Sequence, residues 1–434
     1  MSSRTAFPSQ ARALACLFLA VSGSVHAAER ISVATGGGEG NSQSRYPAIS
    51  ADGRYVTFLS DATNLVAGDT NAASDVFVRD RLLGTTTRVS VKSDGTQSPG
   101  ASFPAAISGD GRLIGFASYG KLVPGAGFLN CYLLDRTNGS MAVLDLRPNG
   151  TPGTTCDSVT MDVSGTRIAY RSYDELVAAD TNGRPDIYVR DLIAGTQRRI
   201  SLAPGGAEAN LASSDPVMSG DGSRVIFASE ASNLVAGDTN GRTDIFLAAS
   251  DASMPVTRVN VGPANVQANG PTDYRAALNA NGSLLAFSSK SSSLPDWGEF
   301  AESTLYLRVP GSDATIALSV PEGSLPREGA NGEPDFDYTG RYLAFASTDR
   351  LYAGAEQGGI YVIDLVQGVI AQVSVGGDSG NVHGTRISAD GTGIVWYSFS
   401  TTQVPGDHNG TWDVFYAPNP LWAEMPIFAD DFEG

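Results

Sequence analysis

Pro47-Ala-Ile-Ser-Ala-Asp-Gly-Arg-Tyr-Val-Thr-Phe-Leu-Ser60 decides the fold, because it returns with variations down the whole chain. Its Asp52-Gly53 turn recurs as Asp110-Gly111, Ser164-Gly165, Asp221-Gly222, Asn281-Gly282, Thr339-Gly340 and Asp390-Gly391, at intervals of 51 to 60 residues. Asp-Gly and Asn-Gly favour tight hairpins because both residues tolerate positive φ. After each turn comes an apolar run closed by an aromatic residue: Phe58, Phe116, Tyr170, Phe227, Phe287, Phe345 and Trp396. Composition and period make these runs strands.

A loop and a third strand follow, as in Val76-Phe-Val78 and Ile187-Tyr-Val189. A fourth strand shows in Arg88-Val-Ser-Val91, Arg199-Ile-Ser-Leu202, Arg258-Val-Asn-Val261 and Gln372-Val-Ser-Val375. A lone four-stranded sheet cannot cover both its faces. Repeated in one chain, such sheets cover each other as propeller blades. The seventh unit lacks a fourth strand, and Glu29-Arg-Ile-Ser-Val33 matches the missing pattern. The sequence therefore predicts an all-β, seven-bladed β-propeller whose ring is closed by residues 30–34 completing the last blade. Six blades is the alternative, if the second or fifth unit is an insertion.

The Pro-Ala-Ile-Ser-Ala-Asp-Gly stretch, with Pro104-Ala-Ala-Ile-Ser-Gly-Asp-Gly111, Pro216-Val-Met-Ser-Gly-Asp-Gly222 and Asp186-Ile-Tyr-Val-Arg-Asp191, resembles the TolB-like, WD40-like propeller repeat known as PD40. The resemblance covers residues 30–418 and implies the propeller fold. It leaves no room for the extra N-terminal domain of TolB.

Residues 1–27 have the pattern of a secretory signal peptide: Arg4 and Arg12, an apolar run from Ala13 to Val21, and Val25-His26-Ala27 before the cleavage point. The propeller then spans 28–418 and a tail 419–434. No apolar run is long enough to span a bilayer, so the expected location is secreted or periplasmic. The net charge is −17; losing Arg4 and Arg12 makes the mature chain more acidic still. Such a surface repels phosphate backbones, which argues against nucleic-acid binding. Cys131 and Cys156 remain, and an oxidising compartment allows either a disulfide between them or two buried thiols.

Four second-to-third-strand loops share Asp-x-Asn-x-x-x-Asp: Asp69, Asn71, Asp75; Asp180, Asn182, Asp186; Asp238, Asn240, Asp244; and Asp407, Asn409, Asp413. Oxygen ligands at alternate loop positions suit calcium, and side chain–backbone bonding in turns is the other reading. The Arg79-Asp80 and Arg190-Asp191 pairs are expected to bridge strands at the surface. Gly377-Asp-Ser-Gly380 occupies a repeat loop, and the mature chain holds only His383 and His408, so a serine triad has little to build on. The sequence assigns no catalytic residue. It favours a non-enzymatic binding or scaffold module for a protein or glycan partner. A propeller enzyme acting on polysaccharide at the channel mouth, a lyase or glycosidase, is the alternative.

Overall fold

The computed structural model describes residues 19–20, 28–295, 303–318, 330–352, 355–356, 358–375 and 382–422. Seven sheets, each with four antiparallel strands, form the ring; the first six run in chain order from an inner strand to an outer one, and the seventh takes its outer strand from the start of the chain. The second and fifth units are complete four-stranded blades, so the count is seven. The inner strands of blades one to seven are Ser44–Ile49, Ala106–Ile107, Cys156–Met161, Ser213–Met218, Thr272–Leu278, Asn331–Phe336 and Val382–Ile387. In the last blade Glu29–Arg30 pairs antiparallel with Asp413–Pro418, with Glu29 opposite Tyr416 and Arg30 opposite Phe415. The Arg81 guanidinium of blade one then lies 3.2 Å from the Tyr416 ring centre, and Arg81 pairs with Glu29. The two ends of the chain are thus sewn into one sheet, which removes the open ends a linear stack of blades would leave.

The recurring aromatics form the buried centre of each blade. Every second-strand aromatic faces one on the third strand: Phe58–Phe77, Phe116–Tyr132, Tyr170–Tyr188, Phe227–Phe246, Phe287–Tyr306, Phe345–Tyr361 and Trp396–Phe415, with ring centres 5.5 to 6.1 Å apart. All fourteen are essentially buried. Burying one such side chain stabilises by about 1.5–3 kcal/mol, and cross-strand aromatic pairs add to that.

The turn after each inner strand differs from the expected two-residue hairpin. Gly53 has φ 71°, but Asp52 is not in the left-handed region. Instead the Ser50 hydroxyl donates to the Asp52 carboxylate, which accepts from Arg54 N, and Tyr55 N donates back to Ser50 Oγ. The same net recurs around Asp110, Asp221 and Asp390. A short acid that bonds its own turn makes the second positive φ unnecessary.

These turns are laced together. Ala51 N donates to Gly109 O, Gly109 N to Val163 O, and Val163 N to Gly220 O. Asp221 N donates to Ala280 O, Ala280 N to Tyr338 O, Tyr338 N to Ala389 O, and Asp390 N to Ala51 O. The bonds are 2.7 to 3.2 Å long and pass from blade to blade around the whole ring. Gly109 permits the approach: a Cβ there would meet Val163 Cγ1 at 2.5 Å.

Within residues 1–27 only Leu19–Ala20 is described, parallel to Val369–Val375 at the outer edge of blade six; the rest of the expected signal peptide lies outside the described residues. So do residues 423–434 of the tail and Ser379. No helix among the described residues is long and apolar enough to cross a membrane.

Candidate functional site

At the end of the channel opposite the laced turns, the inner strands are bulged. In blade one Arg45 pairs with Leu59 and Ala48 with Thr57, so Tyr46 and Pro47 together oppose Phe58 alone. Blades three, four, six and seven repeat the two-against-one arrangement. A bulge needs one residue outside the ladder, and proline, which has no N–H to donate, fits beside it at Pro47, Pro216 and Pro334. The residue in the left-handed region is Tyr46, Ser158, Asp215, Glu333 or Gly384, with φ between 51° and 68°. Four of these are not glycine. Such strained positions cluster at functional sites, and bulges re-aim side chains there.

The bulges of blades six and seven, with Arg275 of blade five, build one charged cluster. Arg275 Nη1 donates to Glu333 Oε1 at 2.8 Å. His383 Nδ1 stands 3.8 Å from the same oxygen, a charge contact rather than a hydrogen bond. The Gly384 N–H donates to Glu333 Oε2. Burial pushes the Glu333 carboxyl up, but His383, Arg275 and the Gly384 N–H together outweigh it and hold the group below the usual glutamate range. Glu333 is 18 % exposed, while Arg275 and His383 are each 42 % exposed. The acid is therefore the anchored centre of the cluster, and Arg275 and His383 are its accessible face. They line a cavity of about 410 Å³ with Ser303, Asn331 and Thr348. This cavity shares Asp215 and Arg275 with a channel cavity of about 440 Å³. Deeper in the channel, burial pushes Asp335 up to about 6 against the pull of Arg386.

Aromatic rings flank the cluster. Tyr397 lies 5.4 Å from Tyr46 and 5.7 Å from His383, and Trp412 lies 5.6 Å from His383, between ring centres. Burial, with the negative charge of Glu333 nearby, pushes the Tyr397 phenol up to about 12.

The Asp-x-Asn loops lie at the same end of the blades, and their residues do come together, around an arginine. Arg88 Nη1 lies 3.3 Å from Asp69 and 3.4 Å from Asp75. Arg199 Nη1 lies 3.0 Å from Asp180, 3.2 Å from Asp186 and 2.9 Å from Glu208. Arg258 Nη1 lies 3.2 Å from Asp238 and 3.1 Å from Asp244. In blade seven Arg30, from the closing strand, stands 3.4 Å from Asp407. Asn71, Asn182, Asn240 and Asn409 each donate an amide N–H to the second aspartate, Asp75, Asp186, Asp244 and Asp413 respectively. Each asparagine oxygen accepts from a backbone N–H two residues on. The positive charge between the carboxylates is thus a guanidinium from the fourth strand. Among the described residues no group of three or more His, Cys, Asp or Glu is placed to hold a metal ion.

Blade two lacks this clasp, and there the structure joins Cys131 on its third strand to Cys156 on the inner strand of blade three, Cα to Cα 5.4 Å. The acid that closes the third strand makes an ion pair to the neighbouring strand, as the sequence leads one to expect. Asp80 pairs with Arg54, and Asp191 with Arg167, at the start of the second strand. Arg79 instead donates to Gly84 O and Thr86 Oγ1.

No family model matches the chain, and no curated protein matches it. Solved structures do. An oligogalacturonate lyase in complex with manganese superposes with a TM-score of 0.52 at 16 % identity, over 88 % of this chain and 90 % of that one. The oligogalacturonate lyase of Vibrio parahaemolyticus gives 0.53 at 13 % identity, over 87 % and 90 %. An acylaminoacyl peptidase gives 0.52 at 9 % identity, over 86 % of this chain and 51 % of its own. At these identities the likeness is one of fold. It corrects one expectation: propellers of this shape include lyases and peptidases, so the preference for a non-enzymatic module does not hold. That preference rested on the scarcity of histidine and nucleophiles. A site needs only one histidine when a carboxylate and an arginine from other blades are folded against it.

Proposed function

We propose that this protein is a propeller enzyme that cleaves an acidic polysaccharide by β-elimination at the bulged mouth of its channel. The observation carrying this reading is the Arg275–Glu333–His383 cluster, drawn from three blades and open to a cavity. In a uronate the hydrogen on the carbon next to the carboxylate is weakly acidic. A guanidinium against that carboxylate stabilises the charge that develops when the proton leaves. Arg275 is in that role. His383 takes the proton, the C–O bond to the next sugar breaks as the carbon–carbon double bond forms, and the imidazolium returns the proton to the departing oxygen. Glu333, 3.8 Å from His383 Nδ1, faces the charge that the imidazole carries midway through the reaction.

Two further observations support this. The matched region makes up 90 % of the manganese-bound oligogalacturonate lyase but 51 % of the peptidase, so the lyase is the better guide to chemistry on a propeller alone. The leader pattern of residues 1–27 supports a secreted or periplasmic location, where such polymers are met. The test is to incubate purified protein with homopolymeric uronates and neutral polysaccharides, following ultraviolet absorbance of the new double bond and the release of reducing ends. An absorbing product from a uronate, lost in His383→Ala and Arg275→Ala with melting temperatures kept, is the expected result. Reducing ends without the double bond would mean hydrolysis instead, and no product from any acidic polymer would overturn the reading.

A further inference from the structure

The repeat serves as its own control, because six other blades show what each loop position holds when nothing special is asked of it. The residue just before the third strand is Ser74, Leu129, Pro185, Thr243, Ser303 and Gly358 in blades one to six, and Trp412 in blade seven. The residue just after the second strand is Asp61, Tyr119, Tyr173, Glu230, Lys290 and Thr348, and then Phe399. Blade seven alone sets aromatics at both. The two rings touch, 5.7 Å between centres, and Trp412 in turn lies 5.6 Å from the His383 ring and 5.4 Å from Tyr397. Phe399 is 44 % exposed and Trp412 is half-buried. Half-buried Ser400, next to Phe399 in the chain, shares a hydrogen bond with exposed Thr402.

We infer that Trp412 and Phe399 form a stacking platform for a sugar ring adjacent to the reacting unit, so that the enzyme prefers polymeric over short substrates. This rests on the proposed uronate-cleaving site. Sugar rings carry a face of C–H groups that packs on an aromatic face, with hydroxyls left for polar neighbours at the rim. The platform begins one ring away from His383, where the next sugar of a bound chain would lie. On the other side of the cluster, Arg45 and Arg275 sit over Tyr46, 5.5 and 5.8 Å from its centre. That places cations where the carboxylates of neighbouring uronates would fall, so the occupant is an acidic sugar chain rather than an apolar peptide.

The experiment measures KM and kcat on uronate oligosaccharides of increasing length for wild type, Phe399→Ala, Trp412→Ala and Trp412→Phe, with thermal melts of each. Loss of one stacked ring corresponds to about a two- to tenfold change. Trp412→Ala and Phe399→Ala are expected to raise KM for long chains by about that factor, with dimer cleavage and kcat little changed. Trp412→Phe should restore most of the loss. Wild-type fluorescence should be quenched by polyuronate, and the quench should be missing in Trp412→Phe. If both alanine variants keep their melts and handle long chains as wild type does, the platform is overturned. If no chain is cleaved yet the Trp412-dependent quench is present, the platform stands and the elimination reading falls.

Discussion

Replacing Arg199 with methionine removes a charge while keeping most of the side chain's apolar length. Arg199, Asp180 and Asp186 are each 3 % exposed or less, and one guanidinium nitrogen serves both acids at 3.0 and 3.2 Å. Each contact is worth about 5 kcal/mol of gross attraction at an effective dielectric near 20, most of it offset by desolvation. What counts is the state left behind: two buried carboxylates with no cation. Breaking a buried pair from one side costs about 3–5 kcal/mol. Glu208, partly exposed, is left out of that figure because solvent screens it.

The pH dependence gives the claim its sign. Burial already raises Asp186 above the usual aspartate range, against the pull of the Ser201 hydroxyl and Arg199. A group whose folded-state pKa is raised contributes stability that is present at low pH and lost as pH rises through that pKa. Without Arg199 the group moves higher, so the deficit of Arg199→Met should be largest at about pH 7.5 and shrink towards about pH 5. Urea midpoints of wild type and variant at the two pH values measure it. An unchanged midpoint at the higher pH, or a deficit that grows on acidification, refutes the reasoning. Thermal melts in chelator and in millimolar calcium complete the test. With guanidinium in place they should coincide, whereas a calcium site would stabilise by about 2.7 kcal/mol at a hundredfold excess over Kd.

Replacing both Cys131 and Cys156 with serine opens a 25-residue separation, which the loop-closure relation converts to about 3.5 kcal/mol. The urea midpoint of the double variant, and of wild type under reductant, should fall together; a fall in neither would show that the link carries no stability. Asp145 is held up at about 7 by burial, against hydrogen bonds from the Asn130 amide and the Cys131 N–H. Its raised value means that stability should fall as pH rises through about 7. Asp145→Asn should flatten that part of the urea-midpoint profile, and an unchanged slope would refute the assignment.

The fold was legible because every blade solves the same problem with the same residues. The Asp-Gly-type turn and the aromatic in the second strand recur in every unit at 51 to 60 residues, and the Arg-Val-Ser-Val type of outer strand recurs in several. The absence of the last element from unit seven told where Glu29-Arg30 had to go. The candidate site was not legible, and for the opposite reason: it is made of departures from the repeat. Arg275, Glu333 and His383 lie on three blades, and the left-handed bulge that turns Glu333 towards Arg275 leaves no period in the sequence. The Glu333-Pro334 and Asp215-Pro216 pairs, like Tyr46-Pro47, were the available hint, since proline inside an inner strand implies a break in pairing. The arginine partner of the Asp-x-Asn loops is distant in sequence: Arg88 and Arg199 come 13 residues after Asp75 and Asp186. Both arginines were visible as part of the fourth-strand pattern, but only packing brings them between the carboxylates.

The ring of backbone bonds that joins all seven turns has a bearing on recognition. A hub tied at every spoke resists widening, because two blades cannot part at that end of the channel without breaking an inter-turn bond. Left-handed Tyr46, Asp215 and Glu333 are held in place because the strands that carry them have nowhere to relax. Adaptation to a ligand then falls to the loops alone. The central charges then meet a ligand as a preformed template, with little reorganisation to subtract from affinity.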